Sequence, residues 1–173
     1  MELFEALNKR RSIRKYRRDP IPKEKLSRIL EAAIQAPSAG NLQPWRFIIL
    51  RDTQRKMAIA EAALGQLMIA DAPVVIVVCT DQRRSERYYG ERGVNLFCIQ
   101  DTAAAVQNLM LAAFALELGT CWVGSFDERK VSSILHAPDG MRPVAIIPLG
   151  YPAEHPTPTS RRPLSEVVQE ESF

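Results

Sequence analysis

Apolar positions alternate between helical and strand spacing along the chain, and the alternation predicts most of its elements. Leu3, Phe4 and Leu7 mark a short first helix with one apolar face. Leu26, Ile29, Leu30, Ala33 and Ile34 repeat at helical spacing behind Pro22, which suits a first helical position. That helix stops before Pro37, because a residue preceding proline is pushed out of the helical region. Residues 47–50 are a short apolar run that reads as a strand buried on both faces. Asp52 is placed to cap a helix reaching about Ala63, with Met57 and Ala60 inward, and a second short helical piece is expected over 66–70. Residues 74–80 are rich in β-branched side chains and read as a central strand.

The longest helix is expected over residues 94–118. It is apolar nearly all round and carries small residues such as Ala103, Ala104, Ala112 and Ala113 that admit close helix contact. Burying every side of it in a chain of this size calls for a second subunit. Gln100, Asp101, Gln107, Asn108 and Glu117 interrupt the run, so it is not read as a membrane span. Gly119 is expected to cap it. A short strand over 120–124 follows, then a helix capped by Ser125 or Asp127 with Val131, Ile134 and Leu135 inward. A turn at 138–140 leads into a strand over 144–149 that Pro148 bends or places near an edge. From Gly150 onward, Pro152, Pro156, Pro158 and Pro163 keep an extended tail that still carries Tyr151, Leu164, Val167 and Val168.

Composition adds few constraints. A chain of 173 residues with 46% hydrophobic content suits one domain with a substantial core. The net charge of +3 does not imply a nucleic-acid partner. Cys79, Cys98 and Cys121 lie in apolar runs without CxxC spacing, which points to reduced buried thiols in a cytoplasmic protein and to no metal site. The N-terminus lacks the order of a signal peptide. Neither GxGxxG nor GxxxxGK[ST] occurs, and His136 and His155 have no partners that would build a nucleophilic triad.

Two stretches carry candidate chemistry. Arg10-Arg-Ser-Ile-Arg14 offers guanidinium forks and a hydroxyl to an anion such as a phosphate, or else is a solvated basic run or a nucleic-acid patch. Pro37-Ser-Ala-Gly-Asn-Leu-Gln-Pro-Trp45 is longer than a plain helix-to-strand connection, and Ser38, Asn41 and Gln43 can reach a cleft or simply bond to nearby backbone. Residues 81–93 read either as a solvated loop or as a mobile flap whose Tyr88 and Tyr89 form a wall. Trp122 beside Gly124 is either core or a platform for a flat ligand.

These stretches, with Asp101-Thr-Ala-Ala-Ala-Val-Gln-Asn-Leu109, Leu118-Gly-Thr-Cys-Trp-Val-Gly124 and Ile147-Pro-Leu-Gly-Tyr-Pro152, occur in one order. Together they resemble the nitroreductase family of FMN-dependent, NAD(P)H-using oxidoreductases. The resemblance implies an α+β, three-layer fold: a mostly antiparallel central sheet flanked by helices, in an intertwined homodimer with FMN at the subunit interface. Residues 1–173 would form one FMN-binding domain, with 150–173 a tail docking on the partner subunit. It assigns Arg10, Arg11, Ser12 and Arg14 to the FMN phosphate and ribityl chain, and Arg161, with Arg162 as a second, to the phosphate. Pro37, Ser38 and Ala39 would line the flavin, with Asn41 and Gln43 as polar contacts, often to the partner subunit's flavin. Trp122, Val123 and Gly124 would lie along the ring. The implied activity is ping-pong hydride transfer from NAD(P)H through the flavin to a small-molecule acceptor, a nitroaromatic or quinone, with no side chain as an obligatory acid or base. The same scaffold also supports dehalogenation, flavin destruction and dehydrogenation. A non-enzymatic nucleic-acid-binding domain is the remote alternative, since the basic run lacks interleaved aromatics. Neither nucleic acid nor a membrane is expected as a partner.

Overall fold

The protein structure is a computed structural model that describes residues 2–172. Its centre is a sheet of β1 (Trp45–Leu50), β2 (Val74–Asp81), β3 (Gly119–Thr120) and β4 (Met141–Gly150) in the order β1-β2-β4-β3, with every pair antiparallel. Strict alternation divides the buried residues of the two long strands between two faces. Val74, Ile76, Val78, Ala145, Ile147 and Leu149 pack against Ile29 and Ala33 of α2 (Lys23–Ala33) and Val106, Leu109 and Ala113 of α6 (Cys98–Ala115). Val75, Val77, Cys79 and Ile146 pack on the other face, against α3 (Thr53–Ala62), α4 (Met68–Asp71) and α7 (Glu128–Leu135). Three layers result, as expected, and β2 is central.

The capping acids behave as their positions suggest. Asp52 accepts a hydrogen bond from the Arg55 amide, and Asp127, rather than Ser125, accepts from the amides of Arg129 and Lys130. Other details differ from the sequence reading. β1 is an edge strand with Arg46 exposed, so it is not buried on both faces. Met57 is exposed while Lys56 is buried, its stem inward and its ammonium 2.6 Å from the Ala72 carbonyl at the end of α4. Pro22 stands before the first turn of α2 with extended ψ. Glu117 (φ 65°), rather than Gly119, supplies the left-handed residue after α6, and the Leu118 amide closes back on the Ala113 carbonyl at 2.8 Å. Gly119 instead opens β3.

Pro148 lies in an interior strand. Ile146 exchanges both backbone hydrogen bonds with Val123, so even-numbered residues of β4 face that side. There the chain between Thr120 and Val123 leaves the ladder, and the Pro148 carbonyl instead meets the Tyr16 hydroxyl at 3.4 Å. The missing N–H of the proline thus falls where no strand pairs.

Residues 81–93 are the largest departure. They form α5 (Gln82–Arg92), capped by Asp81, and not a loop. Gly90 (φ 56°) bends its last turn, and a π-helical turn at Gly93–Phe97 leads into α6. A Cβ on Gly93 would lie 2.5 Å from the Ser85 carbonyl, so the chain folds back closely only because residue 93 is glycine. α1 (Leu3–Lys9) has the predicted apolar face, but Leu3 and Phe4 are exposed.

Candidate functional site

The arginine segment is built against the β3 edge of the sheet. Ser12 bridges Thr120 in parallel, the Ile13 amide donates to the Thr120 carbonyl at 2.9 Å, and Ile13 is buried as an anchor. Gly119 makes this approach possible, since a Cβ there would lie 2.6 Å from Ile13 Cγ1. From the far end of the chain, Glu154 Oε1 accepts from the amides of Arg14 (2.5 Å) and Lys15 (3.1 Å). The result is a cleft of about 240 Å³ lined by Arg10, Arg11, Ile13, Phe114, Thr120 and Pro158 among others.

Positive charge is concentrated in this cleft. Burial holds the Arg10 guanidinium below its ordinary pKa, and the nearby Arg161 and Arg11 cations push it further down. Like charges held this close are unfavourable until an anion joins them. A phosphomonoester, with close to two negative charges and several acceptor oxygens, fits that donor set. The Cys121 thiol lies beside Ser12, Arg14 and Arg10, yet burial keeps it raised and therefore protonated. Arg162 is drawn elsewhere: its Nε bonds to Glu166 Oε2 at 3.1 Å in the exposed tail.

The second stretch folds as a self-satisfied turn. Ser38 Oγ accepts from the Gln43 amide at 3.0 Å, and Gln43 Nε2 donates to Asn41 Oδ1 at 3.1 Å. These contacts match the local-bonding account of its polar residues. Even so, Gly40, Asn41 and Gln43 all take left-handed φ between 52° and 54°, and two of them are not glycine. Such strain persists only where surrounding structure enforces it. Tyr89 of α5 supplies one constraint, packed so that a Cβ on Gly40 would meet its hydroxyl at 2.6 Å, and Arg84 supplies another by donating from Nε to the Leu42 carbonyl.

Asp101 is the third constraint. Its Oδ1 accepts from the Ala39 amide at 3.0 Å, while its buried Oδ2 has no partner among the described residues. Burial raises its pKa, with the Ala39 amide opposing. In the unfolded chain the carboxyl ionises near its usual value of about 3.9. Raising the pH from there through the higher folded value therefore costs the native state stability. Asparagine at 101 removes that loss, so the stability of Asp101→Asn relative to wild type is expected to rise between about pH 4 and pH 7.5. Urea midpoints at the two pH values check this, and a pH-independent difference would show that the buried ionisation is not felt.

Trp122 is part exposed rather than core, and a Cβ on Gly124 would meet only Trp122 Nε1, at 3.8 Å, so this segment offers an open surface. Val123 points into the core, and its amide and carbonyl are both paired with Ile146, so it offers a ligand no free polar group. The chain brings Arg10, Arg11, Ser12, Arg14 and Arg161 together near β3. It sets Pro37, Ser38, Ala39, Asn41 and Gln43 beside β1, at the opposite edge. Three strand spacings separate β1 from β3, and the arginine segment bridged to Thr120 adds a fourth, roughly 20 Å in all. Along α6, Asp101 beside the turn and Phe114 beside the cleft are likewise roughly 20 Å apart.

Sequence reasoning missed Glu154, Asp101 as a clamp, and the grip of Arg84 and Tyr89 on the turn. Asp101 left a signal as an acid within an apolar helix. Glu154 left none, because its partners lie 140 and 139 residues away.

These features define an α+β, helix–sheet–helix domain with an arginine-lined cleft at one sheet edge. The chain belongs to the nitroreductase family, whose model matches residues 7–69 and 60–151. It is 38% identical over 190 residues to a Thermus thermophilus protein named NADH dehydrogenase, covering 94% of this chain and 93% of that protein. It is 30% identical over 186 residues to the Bacillus subtilis FMN reductase that uses NAD(P)H, covering 99% and 74%. The crystal structure of the Vibrio harveyi NADPH:FMN oxidoreductase, complexed with NAD+, superposes with a TM-score of 0.92 at 26% identity, covering 99% of this chain and 77% of that one.

Proposed function

We propose that the protein is an NAD(P)H-dependent oxidoreductase that holds FMN in the cleft lined by Arg10 and Arg11 and reduces a small-molecule acceptor such as a quinone or nitroaromatic. The observation that carries this reading is the crowding of Arg10 by Arg11 and Arg161 beside a cleft that Arg10, Arg11 and Gly119 line. FMN, when bound, supplies the redox chemistry, taking a hydride from NAD(P)H and passing electrons to the acceptor. The chain supplies binding and position. Arg10, Arg11 and Arg161 would bind the phosphate, with Ser12 and Arg14 on its sugar side and Trp122 to Gly124 beside the ring.

A cleft of about 240 Å³ is smaller than the roughly 300–1,000 Å³ usual for cofactor sites, so it would hold one end of the ligand. The strained turn at Pro37–Gln43 would complete the partner subunit's site in a homodimer, since it lies too far from the arginines of its own chain. Exposed Leu3, Phe4 and Leu7 on α1, and Leu164, Val167 and Val168 in the tail, are the apolar surfaces a second copy would cover.

The purified protein is expected to show flavin absorption at near one per subunit, to release FMN on denaturation, and to oxidise NAD(P)H steadily once a quinone or nitroaromatic is added. A colourless protein that takes up no added FMN would overturn the reading, and the arginines would then need another anion.

A further inference from the structure

A second cationic surface lies away from the Arg10 cleft, on α5. Arg83 and Arg87, and Arg84 and Tyr88, are spaced by four residues and so share neighbouring rows of the helix. With Leu42 and Asp81 they enclose a cavity of about 460 Å³. Among the described residues the only carboxylate lining it is already engaged: Asp81 Oδ1 accepts from the Arg84 amide at 3.1 Å, and Oδ2 lies 3.9 Å from the Arg46 guanidinium. Arg83 has its stem packed against Gly140 and its head 3.9 Å from Asp139, an exposed pair that contributes little. The Arg87 guanidinium has no hydrogen-bond or ion-pair partner among the described residues. The guanidinium of Arg84 ties this surface to the Leu42 carbonyl, within the strained turn.

We infer that the α5 face formed by Arg83, Arg87 and Tyr88 is a subsite for the phosphomonoester of a substrate that visits the site in each turnover. The inference rests on the oxidoreductase reading above. Two substrates carry that chemistry: NADPH through its 2′-phosphate, and free FMN as the acceptor. In either case a dianion meets the unpaired Arg87 and the exposed, weakly paired Arg83, and Tyr88, largely exposed, offers an aromatic face to the adjoining ring. NADH and riboflavin lack the dianion and gain nothing there. The subsite therefore sets substrate preference, and the Arg10 cleft keeps the resident flavin.

The test measures kcat/KM for NADPH against NADH, and for FMN against riboflavin as acceptor, in wild type, Arg87→Gln and Arg83→Gln/Arg87→Gln. A charge-assisted contact is worth about tenfold or more, so one of the two ratios is expected to fall about tenfold in the single variant and further in the double. Which ratio falls identifies the substrate. Calorimetric titration of NADP+ against NAD+, and of FMN against riboflavin on flavin-loaded protein, gives a readout independent of turnover, and the preference should weaken with salt. Ratios unchanged in the double variant, or wild-type binding that ignores the phosphate, would overturn the subsite. Resident flavin, measured by absorption in each variant, keeps the two readings apart: flavin retained with altered ratios supports the subsite, and flavin absent even from wild type indicts the oxidoreductase reading instead.

Discussion

Replacing Arg10 and Arg11 together by alanine is expected to leave a folded protein whose affinity for FMN has dropped about 10²- to 10⁴-fold. A hydrogen bond to a charged group contributes about 1.5–3 kcal/mol, and two of them about 3–6 kcal/mol, at about 1.4 kcal/mol per tenfold. Arg10 is partly buried and crowded by Arg11 and Arg161, so an anion there relieves repulsion as well as making bonds. Arg11 has a second, structural duty. Its Nη1 donates to the carbonyls of Asn8 (2.7 Å) and Arg10 (2.8 Å) at the end of α1. Losing those contacts frays one short helix and does not threaten the core. Flavin titration followed by fluorescence, with circular dichroism to confirm the fold, measures the effect. Full FMN affinity in the double variant would show that the phosphate is held elsewhere.

Gly119→Val is expected to destabilise the protein by about 1–3 kcal/mol, the usual range for overpacking, and to weaken FMN binding as well. A Cβ at this position would stand 2.6 Å from Ile13 Cγ1 and 2.8 Å from Ile13 Cβ, and neither is the free end of a flexible side chain. Ile13 is buried and is held by the hydrogen bond from its amide to the Thr120 carbonyl. Relief requires the whole 10–14 segment to move off the sheet edge, carrying Arg10, Ser12 and Arg14 with it. Urea unfolding gives the first effect and flavin titration the second. A variant with normal FMN affinity would show that the register of this segment against β3 does not matter to the cleft. A purely structural glycine would change stability alone.

Sequence pattern disclosed the layers of this fold because each layer has a local cause. The β-branched run at 74–80 has no alternative to a buried strand, and helical spacing in 26–34 leaves one face to cover it. Asp52 and Asp127 bond to amides two or three residues on, so their capping was visible without tertiary information. The arginine segment and the polar turn were legible too, as unusual concentrations of guanidinium groups and short polar side chains. Where the reading went astray, the cause lay at long range. Residues 81–93 have no apolar stripe, yet they form a helix capped by Asp81 and bent at Gly90, with Tyr89 against Phe97 (centroids 5.2 Å apart) and Arg84 on the Leu42 carbonyl. Gly119 looked like a helix cap because glycine usually is one there. It is glycine because Ile13, more than a hundred residues earlier, passes within contact of it.

Local chemistry therefore determined most of the elements and marked the two stretches as candidate ligand sites. Only the three-dimensional arrangement decided that these stretches lie at opposite sheet edges. Strand order, crossover connections and the Ser12–Thr120 bridge, which no local pattern encodes, set that separation of roughly 20 Å. Position in the fold likewise drew Glu154 onto the Arg14 and Lys15 amides and left one buried oxygen of Asp101 without a partner. Pairings of this kind depend on contacts between segments distant in the chain, and those contacts exist only once the sheet has formed.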